Sequence, residues 1–437
     1  MSDYIFMLES IVGADQRRVL EQVRAAAEAV GVNLFLTGGA MRDMLGGSPI
    51  RDLDFSVEGN ALKVVKALEE KGGVQTLSVD ENRRSVELLF DNGVTAQVAM
   101  SRKERYPKAG GKPQVTPSTM QEDLRGRDFT INAMALSLSK ASRGLLMDPT
   151  NGLADLGHRE LRTTHPYVFY DDPVRMLRLL RLRIRLGFEV EERTRSQYEN
   201  ARAAQMESQI PARALLEELR RTASEPSPSE VVKALDEAGL LTLVSPALTG
   251  PRLNLPAVVK LEKAERLVES ANLVVEPKLA QFLYALASKL TPKEKAALIK
   301  ATDMPKAEVE RWNNLAAHTK KLDNALKSAN LRKPSQVYEI LRSAAPGDMV
   351  FLLCYSAQRV VQERIRHYFE KYLPAMQEVP QAEWDALEGQ PGSPKYERAR
   401  LALVAAHLDV RKKPPEPPPV EAPPAPPEPV AVRGRVR

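Results

Sequence analysis

The sequence predicts an α+β head, built on a mixed β-sheet with flanking helices, followed by all-α domains. Three observations lead there. Residues 14–30, ADQRRVLEQVRAAAEAV, carry apolar side chains at helical spacing. They are followed, up to about residue 140, by short β-rich segments: VNLFLTGG, LDFSV, VQTLSV, SVELLF and TAQVAM. From about Tyr167 to about His407 strand candidates become few and arginine-rich amphipathic stretches take over, as in PVRMLRLLRLRIRLGF, ARALLEELRRTA and SEVVKALDEAGLL.

Composition narrows the function classes. At roughly 100–200 residues per domain, 437 residues allow several domains and an ample core. Lys and Arg exceed Asp and Glu by 63 to 57, a net +6 that permits a nucleic-acid partner without requiring one. The lone Cys354 excludes an internal disulfide and a cysteine-based zinc cluster. The five histidines show no ligand spacing, which argues against a histidine metal site. The N-terminal MSDYIFMLES lacks a secretory pattern, and no run nears the roughly 18 apolar residues of a membrane span. The expectation is a soluble cytoplasmic protein with no membrane partner. PALTGPRLNLP (246–256) and LTPKEK (290–295) read as breaks between helical subdomains, and KKPPEPPPVEAPPAPPEPVAVRGRVR as an extended, solvated polyproline-type coil.

TGGAMRDML (37–45) is the first segment with chemistry in it. Gly38 and Gly39 end a strand and open a helix, where two residues without Cβ let a phosphate approach backbone N–H groups. The pattern is neither a dinucleotide-binding fingerprint nor a P-loop. Next comes RDLDFSV (51–57). Asp52 and Asp54 are two apart in an alternating segment, so in a strand both carboxylates share a face. Two like charges held together call for a cation, and hard oxygen ligands suit Mg²⁺ bound with substrate phosphates. An isolated D-x-D is more often a solvated strand face; here a strand, Gly-Gly, and a helix with Arg42 precede it.

In EDLRGRDFTINAMAL (122–136), Arg125 and Arg127 can fork onto phosphate oxygens and Asp128 can accept a ribose hydroxyl, with Asn132 following. A surface ion-pair cluster explains this segment equally well. In FYDDPVRMLRLLRLRIRLGF (169–188), Asp172-Pro173 has the form of an N-cap with proline at the first helical position. Arg175, Arg178, Arg181 and Arg185 line one face, with no acidic partner on that stripe. The bland account is a capped amphipathic helix with a basic solvated side. The sharper one uses base chemistry. Adenine and cytosine present an amino donor beside a ring-nitrogen acceptor, while guanine and uracil present the reverse. A carboxylate at Asp172 and a guanidinium at Arg175 would select A and C, and Arg178 and Arg181 would reach the triphosphate.

The ordered set GGAMRD, DLDF, RDFTINAMA, DPTNGLADL and DDPVRMLRLLR resembles the bacterial class II tRNA nucleotidyltransferase and poly(A) polymerase family, over about residues 33–245. The resemblance implies a catalytic head (1–140), a helical neck with the base-reading helix (141–222), a body (223–310) and an RNA-binding tail domain (311–411), and the proline content adds a disordered end (412–437). It implies template-free nucleotide addition to an RNA 3′ end, with Mg²⁺ on Asp52 and Asp54. Nucleotide contacts then fall on Gly39, Arg42 and Arg127, base reading on Asp172 and Arg175, and further contacts on Arg178 and Arg181; the residue reading adds Gly38 and Asp128 to the nucleotide contacts. Gly126, Asp171 and Gln97 stand where relatives usually carry Arg, Glu and often Asp.

SRKERYPKAGGKPQVTPSTMQ (101–121) resembles the flexible loop of members that add the terminal A, and VDENRRSVELLF lacks the G-R-R-F-R-like stretch of many poly(A) polymerases. The expected activity is therefore CCA addition to tRNA from CTP and ATP; A-only addition and poly(A) synthesis are the alternatives. The competing class, an RNA-binding module with a dead head, is disfavoured by the intact aspartates.

Overall fold

The computed structural model describes residues 3–409; the proline-rich segment 412–437 lies outside the described residues. Two helices open the chain, α1 (Asp3–Ile11) and α2 (Ala14–Val30). Gly31 ends α2 in the left-handed region (φ 76°), its N–H returning to the carbonyls of Ala27 and Glu28. β1 (Asn33–Thr37) runs directly into α3 (Gly38–Leu45). β2 (Leu53–Glu58) precedes α4 (Ala61–Lys71), whose first turn is capped by the Asn60 side chain. β3 (Val74–Asp80), β4 (Ser85–Phe90) and β5 (Thr95–Met100) form a meander. β6 (Arg102–Arg105) and β7 (Gln114–Pro117) make a separate hairpin, and α5 (Met120–Arg125), β8 (Ala135–Ser137) and β9 (Leu146–Met147) complete the head.

Seven strands are ordered β3-β4-β5-β2-β1-β8-β9, antiparallel except for the β2–β5 pair. Strand alternation decides where the polar site sits. Leu53, Phe55 and Val57 are each at most 1 % exposed and join Leu34, Leu36, Val23 and Val64 in the main core. The intervening Asp54 and Ser56 point the other way, with Thr37 beside them; its hydroxyl lies 3.3 Å from the Ser56 hydroxyl. That second face carries only a small apolar cluster of Phe35, Met120, Leu124, Ala133 and Ala135. One face of the sheet is thus sealed by helices, and the other is left polar over β1 and β2.

Helices follow: α6 (Gly152–His158), α7 (Val168–Asp171), α8 (Arg175–Leu186), α9 (Glu192–Ala203), α10 (Ala212–Ala223), α11 (Pro228–Glu237), α12 (Leu255–Glu269), α13 (Lys278–Leu286), α14 (Pro292–Ala301), α15 (Lys306–Leu326), α16 (Pro334–Arg342) and α17 (Pro346–Tyr355). The chain forms two compact units. Residues up to Lys321 with Ala345–Ser356 make the first, in which α12 packs against α11, α13 and α17. Leu322–Ala344 and the described residues from Ala357 make the second, with α18 (Arg359–His367), α19 (Leu373–Gln377), α20 (Gln381–Asp385) and α21 (Pro394–Leu408). There Arg400 forks onto both Glu339 oxygens at 2.7 Å, a planar match only arginine can make. No helix among the described residues is long and apolar enough to cross a membrane.

Candidate active site

The turn from β1 into α3 sets the Gly-Gly pair against the aspartates. Gly38 adopts φ +64°, and a Cβ there would lie 3.1 Å from Asp54 Oδ2 and 3.4 Å from Arg127 Nη1. The absence of a side chain is what lets the carboxylate, the guanidinium and the backbone converge. Gly39 follows closely, and a Cβ there would lie 3.7 Å from the same Asp54 oxygen. Asp54 lies in β2, half-buried, whereas Asp52 sits in the bend just before the strand and is exposed. Burial, then the Asp52 charge, push the Asp54 carboxyl up to about 6, against the opposing pull of Arg127, Arg221 and the Gly39 N–H. Gln97, the departure from the family pattern, is the direct neighbour of Asp54 across the parallel β2–β5 pair.

Two carboxylates that repel each other on an open polar face are a donor set short of positive charge, and that fits a divalent cation. A second acidic group, Asp155, His158 and Glu160, brings its ligand atoms within 4.8 Å of one another, an arrangement histidine spacing alone did not predict. Arg162 already occupies it: its Nε donates to both Asp155 oxygens at 3.0 and 3.1 Å and its Nη2 to Glu160 at 3.0 Å. A cation there would have to displace a guanidinium, so the Asp52/Asp54 pair is the better site.

The arginine stripe of α8 differs from its sequence expectation. It does have acidic partners, and they come from other elements. Arg178 donates to Asp128 at 2.6 Å and to Glu218 at 3.2 Å. Arg181 donates to Glu218 at 2.9 Å and to Glu225 at 2.7 Å. Arg185 donates to Asp43 at 2.8 Å and lies 3.9 Å from Glu225. Asp43 also accepts from Arg42 at 2.8 Å, Arg42 donates to the Asn132 carbonyl at 2.6 Å, and Asn132 donates to Asp128 at 3.0 Å. The links close into a ring of four arginines, four carboxylates and one amide, balanced in charge, tying α3 and the segment after α5 to α8 and α10. Burial works against the Asp128 charge, but Arg178 and Arg175 hold its carboxyl well below the usual range. Asp128, Arg178 and Arg181 are thereby each paired with oppositely charged protein partners. Arg127 keeps its Nε on Asp123 at 2.9 Å, with its Nη1 beside Gly38.

Asp172 differs too. It ends α7 rather than capping α8, and its side chain makes no cap bond: helix α8 begins at Arg175, whose N–H donates to the Asp172 carbonyl at 3.0 Å. The carboxylate instead faces the Arg175 guanidinium, 3.7 Å from Nε. Arg175 is 6 % exposed, yet its Nε and Nη1 have no hydrogen-bond partner. A buried guanidinium with unmade bonds costs stability, and such groups concentrate at binding sites.

The β6–β7 hairpin, the segment likened to the flexible loop, reaches toward this pair. Tyr106 donates to Glu104 at 2.5 Å, and Glu104 also accepts from Arg83 and Arg102. Burial, Glu104 and Asp172 together push the Tyr106 phenol up, with Arg175 opposing. At the tip of the loop, Gly110 (φ +64°) lies so near the turn at 206–209 that a Cβ would fall 1.9 Å from the Gln209 carbonyl oxygen. Gly126 is not forced in this way: a Cβ would meet only ordinary contacts at 3.5 Å or more, while Arg125 beside it is exposed. In DPTNGLADL, Asp148 accepts from the N–H groups of Gly152 and Leu153 at 2.7 and 2.9 Å, and Gly152 leaves room for the Thr130 carbonyl, so this motif is architectural.

Sequence reasoning did not single out Asp43, Glu218, Glu225 and Tyr106. Asp43 follows Arg42 and Glu218 sits amid arginines in ALLEELRR, but nothing in one sequence pairs residues 40 apart.

Residues 34–162 match the poly A polymerase head domain. The chain is 29 % identical over 341 residues to the A-adding tRNA nucleotidyltransferase of Aquifex aeolicus, covering 77 % of this chain and 40 % of that protein. It is 35 % identical over 225 residues to the multifunctional CCA protein of Xanthomonas campestris pv. campestris, 50 % of this chain and 52 % of the relative. This chain spans less than half the length of the first curated relatives it matches. A solved tRNA nucleotidyltransferase in complex with a primer tRNA and an incoming ATP analog is similar over 81 % of this chain and 99 % of that one, with TM-score 0.53 and 26 % identity. The Gly-Gly turn, the paired aspartates and the Asp172–Arg175 pair thus sit in a chain whose residues 34–162 match the poly A polymerase head domain and whose relatives include tRNA nucleotidyltransferases, so the chain is similar to the class II tRNA nucleotidyltransferase and poly(A) polymerase family.

Proposed function

We propose that this protein adds C, C and then A to the 3′ end of tRNA, using CTP and ATP. The observation that carries the reading is the Asp172–Arg175 pair: a carboxylate and a buried guanidinium with two unmade hydrogen bonds, side by side. Asp172 accepts from the amino group of adenine or cytosine, and Arg175 donates to the adjoining ring nitrogen. Guanine or uracil would leave these groups unpaired, which a polar site rejects strongly.

Nucleotidyltransferases of this family use a divalent metal, and Asp52 and Asp54 would hold it here; we read the metal as Mg²⁺. Bound there, the metal supplies activation of the RNA 3′-hydroxyl and neutralisation of charge on the α-phosphate. Gly38 and Gly39 leave the phosphate room beside Asp54, and Arg127 and Arg42 stand next to that turn. The Arg178–Asp128 pair fixes α8 to the head, and Arg178 and Arg181 would meet a triphosphate while held on their Nε and Nη1 by carboxylates. In this reading the domains run as head 1–140, neck 141–222, body 223–310 and tail 311–411, the helical parts holding tRNA by backbone and shape, in the cytoplasm.

A second reading, A-only addition, is favoured by the likeness to the Aquifex aeolicus protein over 77 % of this chain. An extension assay separates the two. tRNA ending at the discriminator base, after one C, or after CC is offered each NTP in turn, beside an unstructured RNA. CCA built on the shortest tRNA supports the proposal. Addition of A to the CC-ended tRNA alone selects the second reading, and long A tracts on unstructured RNA would reject both.

A further inference from the structure

On α10, Glu218 and Arg221 are three residues apart and Glu225 lies four further on, just past the helix end, so the three follow one stripe. Glu218 holds Arg178 and Arg181 of α8. Glu225 holds Arg181 and reaches Arg51, the neighbour of Asp52, at 3.7 Å. The stripe thus runs from the neck helix to the start of the aspartate-bearing strand, with Arg221 between its ends.

Arg221 differs from the other arginines around the site in how it is held. Arg42 and Arg181 are buried, and like Arg178 they are closed by partners within the ring. The Arg221 side chain is 46 % exposed; its hydrogen-bonded partner is Glu217, itself 49 % exposed, at 3.2 Å, with Glu218 at 3.9 Å. An exposed pair one helical turn apart is weak and screened, whereas a guanidinium forked onto phosphate makes strong charge-assisted bonds. Redirecting Arg221 costs little; redirecting the ring arginines breaks buried pairs.

We infer that Arg221 binds the phosphate chain of the incoming nucleoside triphosphate, exchanging Glu217 for phosphate oxygens, an inference that rests on the nucleotidyltransferase reading. The test compares wild type, Arg221→Ala, Arg221→Lys and Glu217→Gln. Binding of inorganic tripolyphosphate is measured by calorimetry, nucleotide KM and kcat by primer extension, affinity for a tRNA transcript by filter binding, and folding by thermal melt. Arg221→Ala should weaken tripolyphosphate binding and raise nucleotide KM about tenfold, with kcat within a factor of two and tRNA affinity unchanged. Arg221→Lys should recover part of the loss, and Glu217→Gln should bind tripolyphosphate at least as tightly as wild type. An Arg221→Ala protein with wild-type melting and unchanged tripolyphosphate affinity overturns the inference, as does a loss confined to tRNA binding, which would give Arg221 to the RNA backbone. A wild type that binds tripolyphosphate and extends RNA leaves the parent reading standing in either case. A wild type that does neither overturns both.

Discussion

Arg178 Nη1 lies 2.6 Å from Asp128 Oδ2, joining α8 to the segment after α5 across 50 residues of sequence. This bond is one link in the closed ring through Glu218, Arg181, Glu225, Arg185, Asp43, Arg42 and Asn132. Arg175, proposed above to read the base, begins the same helix, so the ring fixes where that guanidinium stands relative to Asp54. Positioning at this scale matters because misplacement by about 1 Å can cost ~100-fold in rate.

Breaking the ring at its centre should therefore be felt twice. Glu218 is 3 % exposed and serves both Arg178 and Arg181. Glu218→Ala leaves two guanidinium groups short of a partner and should destabilise the protein by about 3–5 kcal/mol, read as a lower urea midpoint of the first unit. An unfolding free energy within about 0.5 kcal/mol of wild type would show that the ring is not structural.

Asp52→Ala and Asp54→Ala should each remove nucleotide addition by ~1,000-fold or more, equivalent to about 4 kcal/mol. Affinity for tRNA should stay within twofold. Either variant extending RNA at the wild-type rate would move the metal site elsewhere.

Arg175→Met separates specificity from stability. Its unmade hydrogen bonds predict that an apolar side chain of similar length costs the unliganded protein less stability than the loss of a fully engaged ring arginine such as Arg181. Rejection of GTP and UTP should fall at least ~10-fold relative to ATP. If the variant discriminates as sharply as wild type, the base is read by other groups.

Gly38→Ala tests the convergence at the β1–α3 turn. A left-handed φ costs an alanine about 1 kcal/mol, and the new Cβ would press on Asp54 Oδ2 at 3.1 Å. A fall in kcat beyond tenfold, with a stability loss of about 1–2 kcal/mol, is the expected pair of results. Full activity would mean that the carboxylate can shift freely.

The raised carboxyl of Asp54 has a definite signature without metal. Its folded value near 6 lies above its ordinary value of 3.8, so the folded protein takes up a proton between those limits. That contribution to stability is fully present below about pH 4 and is lost as pH rises through about 6. Thermal melts in chelator from pH 4.5 to 7 should show a falling component that Asp54→Asn abolishes. An identical slope in the variant would place the titrating group elsewhere.

The strands, the Gly-Gly turn and the alternation of Leu53, Phe55 and Val57 against Asp54 were legible because they depend on neighbours within a few residues. The nearness of Asp172 to Arg175 was legible, but Asp172 looked like a helix cap; sequence spacing is the same whether a carboxylate turns to the backbone or to Arg175. The partners of the α8 stripe were hidden for a different reason. Their carboxylates come from residues 43, 128, 218 and 225, and only tertiary packing brings them to one place. The adjacency of Gln97 to Asp54 likewise depends on a parallel pairing reached through α4, β3 and β4.

At the hairpin tip, Gly110 meets Gln209 through its own backbone and a peptide carbonyl. A contact of this kind leaves no correlated record when sequences diverge: any residue at 209 presents the same oxygen, so substitution there exerts no pressure on position 110 to change with it. The record it does leave is one-sided, an intolerance of every side chain at 110. Two parts of the molecule that meet here would look unrelated to any method that searches for positions changing in step.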